Sequence, residues 1–253
     1  MEPTMIGLTI DDQAVEVPED STVLQAAERL GIAIPTLCHH EGLAPYGACR
    51  LCVVEVEQRG RVRTESSCTR PVEDGMVVRT DTEDLREIRR MTAELLLAQC
   101  PGAPRIIELA RSLGVEETRF PSRDLDCVLC GLCTRACRDE IGTAAIGFAH
   151  RGRDREVTTP FSIQAGTCIG CGACVAVCPT GRITIEDRDG KRVIRAFNTE
   201  LELAACTDCG SYFAPGKMLE HLEAKTDLPP EMLTRCPACR RRRIGTVLRE
   251  AMR

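Results

Sequence analysis

The chain has 253 residues, 43% hydrophobic and 28% charged, with a formal net charge of −5. That suits one or two soluble globular domains and leaves no overall basic footprint for nucleic acid. Aromatic residues make up only 3%, with no Trp, while cysteines number 17. A core built on large rings is therefore excluded, and the thiols must help hold the chain.

The odd cysteine count argues against a closed disulfide framework. No apolar stretch approaches the ~20 residues of a membrane span; the best, 93–98, is interrupted by Glu94. The start Met1-Glu2-Pro3-Thr4 lacks the basic and apolar segments of a secretory signal. A reducing cytoplasm, with thiols free for metal, is the expected location.

Along the chain, residues 6–10 and 14–17 alternate around Asp11-Asp12, which predicts a hairpin. Residues 22–30 place Val23, Ala26, Ala27 and Leu30 on one helical face, with Gly31 just past the end. The first cysteine group follows: Cys38, Cys49, Cys52 and Cys68, spaced C-x10-C-x2-C-x15-C, with a strand expected over 51–56. Two helices are predicted over 82–98 and 104–113. Their apolar stripes are Leu85, Ile88, Met91 and Leu95, then Ile106, Leu109, Ala110 and Leu113, and Gly114 caps the second. Cys100 stands alone between them and reads as a buried structural thiol.

The middle eight cysteines carry the most specific signal. Cys127, Cys130, Cys133 and Cys137 read C-x2-C-x2-C-x3-C, and Cys168, Cys171, Cys174 and Cys178 repeat it, with Pro179 following. In such runs three thiolates wrap one cubane and the fourth cysteine ligates the other. The expected ligand sets are Cys127, Cys130, Cys133 and Cys178 for one [4Fe–4S] cluster, and Cys137, Cys168, Cys171 and Cys174 for the second. Gly131, Gly170 and Gly172 suit these loops because glycine accepts positive φ. Arg138 stands where the first run would carry proline, and the arginine-rich stretch 151–155 between the runs predicts a solvated hairpin or turn.

The last four cysteines, Cys206, Cys209, Cys236 and Cys239, form two C-x2-C knuckles around a helix-like stretch at 216–224. Two knuckles on one ion make a zinc-ribbon-like module. Zn2+ is the favoured occupant, with a third [4Fe–4S] cluster and mononuclear iron as alternatives. A basic tail follows, with Arg240 to Arg243, Arg249 and Arg253.

Three motifs carry a family resemblance: Thr36-Leu37-Cys38-His39, the stretch 47–55 around Cys49 and Cys52, and Ser67-Cys68-Thr69-Arg70-Pro71. With the two-cluster segment 126–186 they resemble the opening region of the large iron–sulfur (75 kDa) subunit of respiratory complex I. They are equally similar to NAD-linked hydrogenase diaphorase subunits and iron-only hydrogenases. The resemblance implies an α+β chain: a β-grasp [2Fe–2S] ferredoxin domain at 1–80, a helical linker at 81–122 and a two-[4Fe–4S] ferredoxin-like domain at 123–195; the four-cysteine module with its basic tail at 196–253 lies outside it. The family's His-plus-three-Cys cluster near position 100 has no counterpart, since Cys100 has no nearby histidine. His39 and His40 read as loop residues beside a site already satisfied by four cysteines.

No dinucleotide-binding glycine motif, P-loop or acid–base constellation is present. The expectation is therefore an iron–sulfur electron-transfer subunit with no catalytic residues of its own, holding one [2Fe–2S], two [4Fe–4S] and one Zn2+. It would relay single electrons between a flavin/NAD(P)H-binding subunit and a second redox catalytic subunit, such as a hydrogenase or formate dehydrogenase, with ferredoxin as a further partner. A free-standing polyferredoxin is the alternative, and an iron–sulfur nucleic-acid-binding regulator the least favoured one, because stacking aromatics are scarce.

Overall fold

A computed structural model describes residues 4–251, with backbone alone over 246–251. Met1 to Pro3, Arg253 and the side chain of Arg249 therefore lie outside the described residues. The chain divides into two compact units, Met1–Arg135 with Pro179–Gly181, and Ala136–Cys178 with Arg182–Arg253.

The first unit begins with the predicted hairpin, β1 (Met5–Ile10) and β2 (Gln13–Pro18), turning through Asp11 and Asp12, both at positive φ. Helix α1 (Val23–Arg29) starts at Thr22, whose hydroxyl accepts from the Gln25 N–H while Gln25 reaches back to the Thr22 N–H, a reciprocal cap. Strands β3 (Val53–Gln58), β4 (Arg61–Ser66) and β5 (Met76–Arg79) complete a five-stranded sheet in the order β2-β1-β5-β3-β4. The strand expected over 51–56 starts two residues later, because Leu51 and Cys52 belong to the cysteine loop. Leu8, Ile10, Val17, Val23, Ala26, Ala27, Val54, Val56, Met76 and Val78 form an aliphatic core between sheet and helix.

Helices α2 (Glu83–Gln99) and α3 (Pro104–Ser112) follow, and the unit ends in the short α4 (Leu132–Arg135). The buried face of α2 is not the expected stripe. Leu85, Arg89, Ala93, Leu96, Leu97 and Ala98 are buried, whereas Ile88, Met91 and Leu95 are exposed by 36%, 37% and 50%. The helix is rotated so that Arg89, which a hydrophobic count assigns to solvent, faces inward. Where α2 and α3 meet, Leu37, Leu51, Leu96, Cys100, Ala103 and Ile106 form a second apolar cluster, with Cys49 and Val128 packed against it. Cys100 is wholly buried there, as expected of a structural thiol.

In the second unit a π-helical turn, Ala136–Glu140, leads to a hairpin of β6 (Gly147–Ala149) and β7 (Glu156–Thr158), which encloses the arginine-rich stretch. The short α5 (Ala173–Ala176) is followed by β8 (Glu186–Arg188), β9 (Lys191–Ile194), β10 (Thr199–Ala205) and β11 (Tyr212–Pro215), a sheet in the order β11-β10-β9-β8. Helices α6 (Gly216–Lys225), α7 (Pro230–Thr234) and α8 (Pro237–Ala251) close the chain. Among the described residues no helix is long and apolar enough to cross a membrane.

Replacing Cys100 by Ser places a hydroxyl in an apolar cluster. It should lower thermal stability by about 1–3 kcal/mol while leaving iron per chain unchanged; anaerobic unfolding and metal analysis of the same sample check both.

Candidate metal centres

The first cysteine group lies in the two loops flanking β3 and β4. Cys38, Cys52 and Cys68 are buried and Cys49 is half-buried. The Cys52 and Cys68 sulfurs stand 3.3 Å apart, and the Cys49 N–H donates to Cys38 Sγ at 3.4 Å. A disulfide needs about 2.05 Å, so these are close thiols and not bridges. Each of two pairs shares a proton. The Cys38 thiol donates to Cys49, holding Cys49 down to about 5 with help from the Leu51 N–H, while Cys38 is pushed up. The Cys52–Cys68 hydrogen bond likewise splits that pair: Cys52 is held down to about 6, and Cys68 is pushed up by that partner, by burial and by the charges of Cys52, Cys38 and Cys49. All four thiols thus feel one another, as the ligands of one centre must.

Two guanidinium groups brace this region. Arg89 donates to the carbonyls of Leu51 (3.2 Å), Val53 (2.7 Å) and Thr80 (2.8 Å), so its contacts flank Cys52. Arg135, between Cys133 and Cys137, donates to the carbonyls of Cys38 and Ala44, both at 2.5 Å, and lies over the Tyr46 ring at 5.1 Å. His39 Nδ1 and Arg135 Nε are buried without a hydrogen-bond partner, polar atoms that a protein interior rarely leaves over. Sequence reasoning missed both arginines, for opposite reasons. Arg89 breaks the apolar pattern of its helix, and Arg135 sits inside a motif whose cysteines take all the attention.

The two C-x2-C-x2-C loops share a backbone. Leu129 and Gly170 occupy equivalent positions at φ 56° and 67°, as do Gly131 and Gly172 at 74° and 83°. Leu129 N–H donates to Cys127 Sγ at 3.4 Å. In the second unit, Cys137 accepts from the Ala145 N–H at 3.3 Å and lies 3.3 Å from Thr143 Oγ1. Burial pushes Cys174 up to about 12, with the charges of Cys171, Cys137 and Cys168 adding to it. Cys168 is raised by burial and then by Cys137 and Cys171. Cys137 therefore keeps company with the second run.

The last four sulfurs, of Cys206, Cys209, Cys236 and Cys239, all lie within 4.8 Å of one another. The first knuckle is the turn between β10 and β11, with Gly210 at φ 74°, and the second opens α8. Cys206 Sγ accepts from the Cys236 N–H at 3.3 Å, which holds its pKa down to about 6 together with the N–H groups of Asp208 and Cys209. Burial pushes Cys239 up to about 12, and Arg242 donates to its sulfur at 3.0 Å. A tetrathiolate this compact fits a soft cation.

A Cβ added at Gly170 would lie 2.7 Å from Leu201 Cδ1 and 3.0 Å from Pro215 Cγ. Gly170→Ala should therefore displace the loop holding Cys168 and Cys171 and remove about four irons per chain, whereas Gly142→Ala, with open space around it, should keep them; metal analysis distinguishes the two.

Comparison with known proteins places a 2Fe–2S iron–sulfur cluster binding domain at residues 3–83 and a 4Fe–4S dicluster domain at residues 167–211. The second match covers one C-x2-C-x2-C run and extends to Cys206 and Cys209. The chain is 38% identical over 206 residues to an NADH-quinone oxidoreductase subunit of Rhizobium meliloti, covering 71% of this chain and 24% of that protein. It is 35% identical over 212 residues to the NADP-reducing hydrogenase subunit HndD of Solidesulfovibrio fructosivorans, covering 71% and 36%. It thus spans only about a quarter to a third of these relatives' length. A crystal structure of NAD+-reducing [NiFe]-hydrogenase in the H2-reduced state aligns with a TM-score of 0.61 and 29% identity, over 70% of this chain and 85% of that one. The chain carries a 2Fe–2S cluster-binding domain followed by a 4Fe–4S dicluster domain, and is a homologue of subunits of NADH- and NADP-linked oxidoreductases.

Proposed function

We propose that this chain is an iron–sulfur electron-transfer subunit of a multisubunit NAD(P)-linked oxidoreductase, passing single electrons between a flavin/NAD(P)H-binding subunit and a second redox subunit in the cytoplasm. The observation that carries this reading is the crowding of the thiols: the Cys52 and Cys68 sulfurs stand 3.3 Å apart, the last four sulfurs lie within 4.8 Å of one another, and Cys137 is near enough to Cys168 and Cys174 to raise both.

In this reading Cys38, Cys49, Cys52 and Cys68 hold the [2Fe–2S] centre in a β-grasp domain. A helix packed on a five-stranded mixed sheet, with ligands in the loop after the helix, supports that fold. Cys137, Cys168, Cys171 and Cys174 hold one cubane. Cys127, Cys130, Cys133 and Cys178 hold the other. In support, Pro179–Gly181, directly after Cys178, falls in the same compact unit as Cys127, Cys130 and Cys133, and Thr180 Oγ1 donates to the Asp126 carbonyl at 2.7 Å.

For Cys206, Cys209, Cys236 and Cys239 we favour Zn2+ in a ribbon-like module. Tetrahedral zinc with Zn–S bonds of about 2.3 Å implies sulfurs about 3.8 Å apart, and Cys209 and Cys236 stand at 3.8 Å. Thiolates on four different irons must stand wider apart than those sharing one ion. The same compactness argues that Cys206 and Cys209 pair with the second knuckle and not with the run at 168–178. Arg242 already serves Cys239, which favours a local role for the start of the arginine tail over a grip on nucleic acid.

Clusters of this type accept and release one electron at a time, so the two-electron chemistry of a nicotinamide belongs to a flavin on a partner. The chain's own residues supply N–H donors to sulfur and fix the spacing between thiols.

Anaerobically purified protein should contain about ten irons and one zinc per chain and give [2Fe–2S] and [4Fe–4S] EPR signals. NADH should bleach it only when a flavin-containing, NADH-oxidising subunit is added. A folded, colourless, iron-free chain, or reduction by NADH without a partner, would overturn the reading.

A further inference from the structure

Arg89 and Arg135 are 6% and 4% exposed, and among the described residues neither forms an ion pair with a carboxylate. Every hydrogen bond they make is to a backbone carbonyl, and those carbonyls belong to Cys38 itself, to Leu51 and Val53 on either side of Cys52, and to Ala44 and Thr80. Two arginines elsewhere in this unit behave differently. Arg70 pairs with Glu65 and Glu73, and Arg86 with Asp81 and Glu83.

A guanidinium remains charged at any accessible pH, and burying it without an anion is strongly unfavourable. Carbonyl dipoles offset part of that cost but contribute no counter-charge. Asp81 and Asp11 act on Arg89 from beyond contact distance, and Asp81 is already paired with Arg86. The thiolate set whose loops both side chains hold is that of Cys38, Cys49, Cys52 and Cys68. With two iron ions and two sulfides, that set carries net negative charge when oxidised and one unit more when reduced.

We propose that Arg89 and Arg135 set the reduction potential of the centre held by Cys38, Cys49, Cys52 and Cys68, as its buried counter-charges. This rests on the [2Fe–2S] reading of that site. The two arginines are positioning residues and not ligands: the carbonyls of the ligand loops hold them in place, and their charge acts on the centre from there. Reduction brings in one electron from an external donor and releases no leaving group, so negative charge in the site rises. Buried positive charge favours that step and makes the centre easier to reduce. Arg135 has a second consequence. Its backbone belongs to the helix carrying Cys133, and its side chain holds the carbonyl of Cys38, so it ties a ligand loop of the 2Fe–2S site to a loop of the first cubane.

The test uses the full chain with its clusters loaded, titrated with dithionite and followed by EPR. Arg89→Met and Arg135→Met keep length and apolar stem but lose the charge. At fixed potential each should lower the ratio of reduced to oxidised [2Fe–2S] about tenfold, equivalent to ~59 mV for one electron, with iron content retained. Arg89→Lys and Arg135→Lys should restore most of the shift. Met variants with an intact signal and the wild-type midpoint would overturn the proposal, as would Lys variants displaced as far as the Met variants.

Should the Met variants lose iron, wild-type protein still decides. A buried counter-charge is poorly screened, so the midpoint should hold between low and high salt. A drift of about 59 mV to more negative values with added salt would place the counter-charge on the surface and overturn the assignment. Absence of any [2Fe–2S] signal in wild type would instead overturn the reading of the site.

Discussion

Crowded sulfur is the constraint on which the rest of this molecule depends. Cys52 and Cys68 lie 3.3 Å apart, and the last four cysteine sulfurs fit within 4.8 Å. Two like charges about 4 Å apart repel by about 4 kcal/mol at an effective dielectric of 20, and a domain's whole stability is about 5–15 kcal/mol. Hydrogen bonding between thiols eases this within two pairs, Cys38 with Cys49 and Cys52 with Cys68, holding one member of each pair down and pushing the other up. Full ionisation of a set needs multivalent cations at its centre. Metal loading of such sites would be coupled to folding of the loops that carry them.

The apolar framework is arranged to suit that process. The aliphatic core under the sheet is independent of the ligand loops, and it orients α1 and β3, from which those loops depart. The cluster around Cys100 does the opposite work, because Leu37, Leu51 and Val128 are chain neighbours of Cys38, Cys52 and Cys127. Packing α2 and α3 on these residues fixes two ligand loops with one patch of buried surface. The family resemblance would put a further cluster in this region. Here the space is filled by side chains, and Cys100 serves as one of them.

Much of this was legible in the sequence because ligand spacing is a short-range property. The hairpin around Asp11-Asp12, the helix at 22–30, both linker helices and the C-x2-C spacings are all set within a few residues. The buried face of α2 was not legible. Its apolar periodicity fits two faces almost equally well, and the choice is made by long-range partners, the carbonyls of Leu51, Val53 and Thr80 that Arg89 satisfies. Those partners are 36–38 residues away for Leu51 and Val53. No local count of hydrophobicity can see them. Arg135 was hidden in the same way, since its partners at Cys38 and Ala44 are 97 and 91 residues distant.

The paired cysteine loops show where repetition stops being informative. Leu129 and Gly170 hold the same left-handed conformation in equivalent positions. A side chain there costs about 1–2 kcal/mol in backbone energy, a sum that the first loop tolerates. The second loop cannot, because Leu201 and Pro215 come so close that a Cβ at 170 would lie 2.7 and 3.0 Å from them. Glycine is thus demanded at 170 by the strands that pack on the loop and not by the turn itself. The turn geometry follows from the ligand spacing; the residue that may occupy it follows from what the rest of its own unit presses against it.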